Sequence, residues 1–245
     1  WSLSATVWGV ACGLMWTGGQ VFVLWAFRAW GVSRTMPLTT ALQLLLNATL
    51  GVSLFGEWRA PGALILGVVA LALIMLGAAA CSWQERTGPG PTPAQRRAGL
   101  LATAASAVLY GSYPSLLRAV EVPPAHAVGP MGLGLLAGAG LCALILPRRA
   151  PLRGPRIVPA ALAGGLWAVG NALMLRSTAA VGVASGFTLS QLGFVLATLG
   201  GLTILGEERT GRERTAVAAG VAAAVVGLVL MGLATGMDTG ASPSQ

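Results

Sequence analysis

The sequence predicts an all-α protein that crosses a membrane several times, and three observations carry that reading. Only 9% of its 245 residues are charged while 55% are hydrophobic, for a mean hydropathy of +0.76. A soluble domain carries about a quarter charged residues, so this chain has too little polar surface for water. Its apolar residues gather in eight runs of roughly the 20 residues that a helix needs to cross a bilayer. The runs are continuous and rich in Ala, Leu and Gly, without the alternation of a membrane β-strand.

In chain order the expected spans are residues 4–27, 36–56, 61–83, 98–118, 126–146, 157–178, 184–205 and 214–235. The first is too long for a signal peptide and carries Gln20. Met36-Pro37 opens the second, and Pro61 stands in the first turn of the third. Residues 84–97 form a polar loop with three prolines, Pro89, Pro91 and Pro93. Val122-Pro123-Pro124 divides the fourth span from the fifth, and Pro114 lies inside the fourth. A Pro- and Arg-rich loop, 147–155, precedes the sixth, and a charged loop, 206–214, precedes the eighth. A polar tail, 236–245, is expected to be disordered.

All 15 basic residues are Arg, and they give a net charge of +8. With helices alternating sides, twelve Arg fall on one side and three, Arg59, Arg118 and Arg176, on the other. The positive-inside rule assigns the twelve to the cytoplasm and both ends of this chain to the other face. Topology thus accounts for the charge, and no nucleic-acid partner is implied. The three cysteines, Cys12, Cys81 and Cys142, lie in apolar runs and suggest no disulfide framework. A single histidine, His126, excludes a multi-His metal site within this chain. No nucleophile elbow, phosphate loop, metal helix or dinucleotide fingerprint occurs, so neither an enzyme nor a cofactor is expected.

One pattern recurs. Gly13, Trp16, Gly19, Gln20, Gly31 and Val32 match Gly164, Trp167, Gly170, Asn171, Gly182 and Val183 at an offset of 151 residues, and Gly56-Glu57 matches Gly206-Glu207 at 150. The offset spans five helices, an odd number, so the two copies are inverted in the membrane, as in secondary transporters. Helices six to eight repeat one to three, and helices four and five have no mates here. The expected architecture is therefore ten helices in two inverted five-helix repeats, eight of them in this chain. Residues 1–83 hold the last three helices of the first repeat, 84–97 a cytoplasmic loop, and 98–235 the second repeat.

Polar groups inside a bilayer are costly and mark sites. Trp16 and Gln20 share a helix face, as do Trp167 and Asn171. Thr40, Gln43 and Asn47 share another, beside Thr39, while Thr188, Ser190 and Gln191 begin the seventh helix. The candidate substrate contacts are Trp16, Gln20, Thr39, Thr40, Gln43, Asn47, Trp167, Asn171, Ser190 and Gln191. Amides, hydroxyls and indoles make a neutral set, which suits a sugar: amides meet its hydroxyls, and an indole covers its C–H face. Bonding between helices is the competing explanation for the amides and hydroxyls, and a membrane-interface belt the competing one for the two indoles. Glu57 and Glu207, at matched helix ends, are candidates for a gate or a proton site, against a plain role as acids near a helix N-terminus. Pro37 is a candidate hinge.

Gly31-Val32-Ser33-Arg34-Thr35-Met36-Pro37, followed by Thr39, Thr40, Gln43 and Leu44, resembles the "GVS-T-MP-ST-MQL" stretch of bacterial glucose-uptake proteins. These form the sugar (glucose/ribose) porter group of the drug/metabolite transporter superfamily. Gly56-Glu57-Trp58 is similar to the family's "GEW", Trp167 to Asn171 to its "WG-GN", and Leu189 to Leu192 to its "LSQL". The resemblance implies ten helices in a bacterial inner membrane, a small neutral sugar as partner, and uptake driven by protons. The alternatives are an exporter of small metabolites or drugs from the same superfamily, and a non-transporting scaffold or sensor.

Overall fold

The computed structural model describes residues 2–81, 83, 85, 91–145, 154, 157–191, 193 and 210–241, the side chains of 33, 34, 37 and 238–241 excepted. Among the described residues there are eight helices and no strand: α1 (Leu3–Trp30), α2 (Val32–Phe55), α3 (Ala63–Cys81), α4 (Pro93–Ala119), α5 (Pro124–Ile145), α6 (Ile157–Val181), α7 (Val183–Ser190) and α8 (Gly211–Ala241). Seven are long and apolar enough to cross a membrane. The rest of the expected seventh span, to residue 205, lies outside the described residues except for 191 and 193.

Helix ends differ from the sequence expectation at several places, and at four of them the local reason is visible. The stretch expected to link the first two helices is helical, and Gly31 alone separates α1 from α2. Its φ of 96° and ψ of 158° lie in a region open essentially to glycine. The Thr35 hydroxyl donates back to the Gly31 carbonyl at 2.8 Å and receives the Trp30 indole N–H at 2.9 Å, which secures the turn. Gly182 separates α6 from α7 in the same way, at φ 93° and ψ 162°. Helix α4 starts five residues early, at Pro93, because Thr92 and Gln95 form a capping box around a first-turn proline. At the other end of the chain α8 continues to Ala241, through residues expected to be a disordered tail, since no helix breaker occurs before Pro243.

Small residues set the packing. A Cβ on Gly13 of α1 would overlap the Met131 carbonyl of α5, and one on Gly9 would lie 2.7 Å from Pro130 Cβ. Helices α3 and α8 form the most extensive pair; a Cβ on Gly77 would lie 2.6 Å from the Gly220 carbonyl oxygen. Backbones this close gain dispersion contacts that lipid tails cannot supply. Helix α1 lies against both α4 and α5, and α2 against α4 and α7. Helix α6 packs on α7 and touches α4 and α5 lightly. Its Leu162, Leu166, Val169 and Leu173 are all more than 60% exposed. A Cβ on Gly164, expected to match Gly13, would meet none of the described residues outside its own stretch of helix within 4 Å.

Candidate functional site

A cavity of about 570 Å³ opens between α1, α2, α4, α6 and α7. That is within the range of small-molecule sites. Its walls run from Tyr113 and Asn171, near mid-helix, to Phe27 and Met36, a few residues from the Gly31 turn. Helical spacing brings the polar residues there. Trp16, Gln20, Val23 and Phe27 recur every three or four residues along one face of α1, and the same spacing on α2 places Met36, Thr39, Thr40 and Gln43 together.

Nine of the ten expected contacts line this one cavity: Trp16, Gln20, Thr39, Thr40, Gln43, Trp167, Asn171, Ser190 and Gln191. The indoles of Trp16 and Trp167 meet at 4.4 Å between ring centroids, tilted by 52°. Both line the cavity. Thr39 is 3% exposed and its hydroxyl has no hydrogen-bond partner among the described residues. A buried hydroxyl left open costs about 1–3 kcal/mol unless something else binds it. Ser190 donates to the Phe187 carbonyl at 2.6 Å, and the Gln191 amide N–H₂ reaches Ser190 Oγ at 3.4 Å.

Asn47 is not brought to the cavity. It is fully buried one turn further along α2, where its amide N–H₂ donates to the Gln43 carbonyl at 2.9 Å. Its side-chain oxygen accepts from Ser115 of α4 at 3.4 Å. The interhelical explanation holds for this residue. Conversely, two wall residues with polar groups were missed from sequence. Tyr110 and Tyr113, the chain's only tyrosines, stand three apart on α4 and line the cavity. That spacing on one helix was the available signal. Among the described residues that line it none is charged, and their mixed amide, hydroxyl and aromatic surface suits an uncharged ligand with many hydroxyls.

The end of the molecule away from the Gly31 turn is built around Glu57. Helix α2 ends at Gly56 in the left-handed conformation (φ 65°, ψ 33°), which turns Glu57 back under α7. One carboxylate oxygen accepts from Val183 N at 2.7 Å, the other from Ala184 N at 2.8 Å. The carboxylate also pairs with Arg118, whose guanidinium stacks 4.4 Å from the Phe55 ring centre. Two otherwise unmet N–H groups and the positive end of the α7 dipole thus face one anion. Trp58 follows at φ 58°, buried, with its indole N–H donating to Ser185 at 3.1 Å. A Cβ at Gly182 would lie 2.6 Å from the Glu57 carboxyl carbon. Pro37 falls in the second turn of α2, and Glu207 lies outside the described residues. Cys12 and Cys81 are buried, and all three cysteines are free.

Comparisons with known proteins agree on one family. A model of the sugar transport protein family matches residues 1–234. The "Glucose uptake protein GlcU" of Bacillus subtilis is 34% identical over 95% of this chain and 80% of its own length. A Listeria innocua protein named "Putative sugar uptake protein lin0215" is 36% identical over 91% of this chain and 77% of its own. A crystal structure of a protein 22% identical superposes with a TM-score of 0.60 over 93% of this chain and 86% of that one, which speaks for the fold. These relatives are named for uptake and not for catalysis. The chain belongs to the sugar transport protein family.

Proposed function

We propose that this protein is a monosaccharide permease of the bacterial inner membrane that takes up a glucose-like sugar by alternating access, driven by protons. The observation that carries the reading is a cavity with no charge among its described lining residues, lined by Gln20, Gln43, Asn171 and Gln191 and walled by Trp16 and Trp167. Gln20, Gln43, Thr39 and Asn171 bind ring hydroxyls, and the indoles lie against the C–H face. Each such hydrogen bond is worth about 0.5–1.5 kcal/mol net, enough together for a micromolar-to-millimolar transported ligand.

The positive-inside rule makes the Gly31 end cytoplasmic and the Glu57 end extracytoplasmic. In this state the Glu57 clamp joins α2 and α4 to the start of α7 and closes the outer end. Releasing it admits sugar from outside. Glu207, the repeat mate of Glu57, is the matching candidate for the cytoplasmic end. The matched glycines Gly31 and Gly182, with nearly the same backbone angles, support the inverted repeat. So does the exposed face of α6: its mate α1 is flanked by α4 and α5, and two further helices against α6 would complete ten.

The test is uptake of labelled glucose by a transport-deficient cell expressing the full-length protein, with and without a proton uncoupler. Uptake abolished by the uncoupler is expected. Uptake that survives it removes the proton and keeps the permease, and no uptake of any monosaccharide in a panel would overturn the reading.

A further inference from the structure

The two tyrosines of α4 face the two repeat-matched amides. Tyr110 donates its hydroxyl proton to the Gln20 side-chain oxygen, and Tyr113 donates its own to the Asn171 side-chain oxygen at 2.6 Å. Tyr113 is 4% exposed, so water offers its hydroxyl no ready alternative. Tyr110 is held by its surroundings as well: its ring lies tilted by 50° against Trp16 at 5.4 Å between centroids, and a Cβ on Gly19 would lie only 2.9 Å from it. Gly19 thus leaves the slot that the ring fills.

A phenol has one proton to give, and a carboxamide has one oxygen and two N–H groups. The tyrosine takes one lone pair of that oxygen and fixes the amide's orientation, so the N–H groups are the end of the amide turned away from the phenol. For Asn171 one of these reaches the Met131 sulfur at 3.4 Å, a weak acceptor, and leaves the other for a ligand. We infer that Tyr110 and Tyr113 are positioning residues that lock Gln20 and Asn171 as hydrogen-bond donors toward the sugar. The site therefore reads ring oxygens as acceptors at the positions these two amides meet. This rests on the cavity being the sugar site, as proposed above.

The test uses the full-length protein and a set of monodeoxy- and monodeoxyfluoro-glucoses as competitors of glucose uptake. Fluorine keeps a weak acceptor where the hydroxyl stood and cannot donate; a deoxy position offers neither. At one or more ring positions the fluoro sugar should compete at least about tenfold better than the deoxy sugar. Tyr113→Phe frees the Asn171 amide to turn either way. The ratio at the Asn171 position should collapse toward one and the glucose KM should rise about tenfold, with the maximal rate kept. In an Asn171→Ala background, Tyr113→Phe should add nothing further. Should Tyr113→Phe not accumulate, Tyr110→Phe, at a less buried residue, gives the same readout through Gln20.

Outcomes separate the two levels. If Asn171→Ala and Gln20→Ala leave the KM for glucose unchanged, the cavity is not the sugar site and both readings fall. If they raise it while the tyrosine variants leave the fluoro-to-deoxy ratio intact, or act additively with the amide variants, the positioning role alone is overturned.

Discussion

Removing the Glu57 carboxylate should unlatch the extracytoplasmic end. In Glu57→Ala, the N–H groups of Val183 and Ala184, two fully buried residues, lose their acceptor. A buried donor left unpaired costs about 1–3 kcal/mol. The Arg118 side chain is 35% exposed and is rehydrated on release, so its share stays below about 1 kcal/mol. The sum is about 2–7 kcal/mol, all of it lost from the state in which the clamp is made. At about 1.4 kcal/mol per tenfold, the balance between closed and open outer ends shifts by a factor of about thirty or more. Glu57→Gln keeps one acceptor oxygen and should shift it by about 5- to 150-fold. Thr178, 5% exposed on α6 near the clamp, reports on the opening. With Cys12, Cys81 and Cys142 replaced by Ala, a cysteine introduced by Thr178→Cys would be labelled in intact cells by a membrane-impermeant maleimide. Labelling should accelerate in the order wild type, Glu57→Gln, Glu57→Ala. Equal labelling rates in a Glu57→Ala protein that still inserts would refute the latch.

Other consequences follow from single contacts. Gly182→Ala places a side chain at φ 93° and against Glu57, so it should speed Thr178→Cys labelling much as Glu57→Ala does and lower the melting temperature in detergent. Trp167→Ala removes one indole wall and should raise the KM for glucose about tenfold, whereas Trp167→Phe should lie closer to wild type; equal values for all three would remove the indole from the site. Gly13→Val overlaps the α5 backbone and should abolish accumulation of the protein. Its repeat mate gives the counterpart: in the full-length protein Gly164→Val should be as damaging if two further helices cover α6, and harmless if α6 faces lipid.

Much of this molecule is legible in its sequence because the bilayer imposes simple rules. Apolar runs bounded by Pro, Gly and Arg pointed to each of the eight helices among the described residues, and the matched spacing of Trp16 and Gln20 with Trp167 and Asn171 picked out four residues that line one cavity. What escaped depends on tertiary placement. Tyr110 and Tyr113 read as ordinary amphipathic residues until α4 is laid against α1 and α6. Asn47 has the same spacing as Gln43, yet it bonds back along its own helix and across to Ser115, a choice that side-chain type does not reveal. Glu57 was expected to be a gate or proton site or else an acid near the N-terminus of the next helix in sequence; it caps α7, 126 residues away, which no local pattern indicates. The early start of α4 was in principle readable, since Thr92-Pro93-Ala94-Gln95 is a capping box, but counting apolar residues passes over it.

The central claim, that the neutral cavity is where sugar binds, is tested most directly by equilibrium binding of labelled glucose to the purified full-length protein and to its Gln43→Ala variant. Gln43 is 9% exposed, lines the cavity, and has no side-chain partner among the described residues, so its loss should leave the fold intact. The expected result is saturable binding by the wild type, competed by unlabelled monosaccharide, and binding weakened about tenfold in the variant at an unchanged melting temperature. Identical affinities in the two proteins would contradict it.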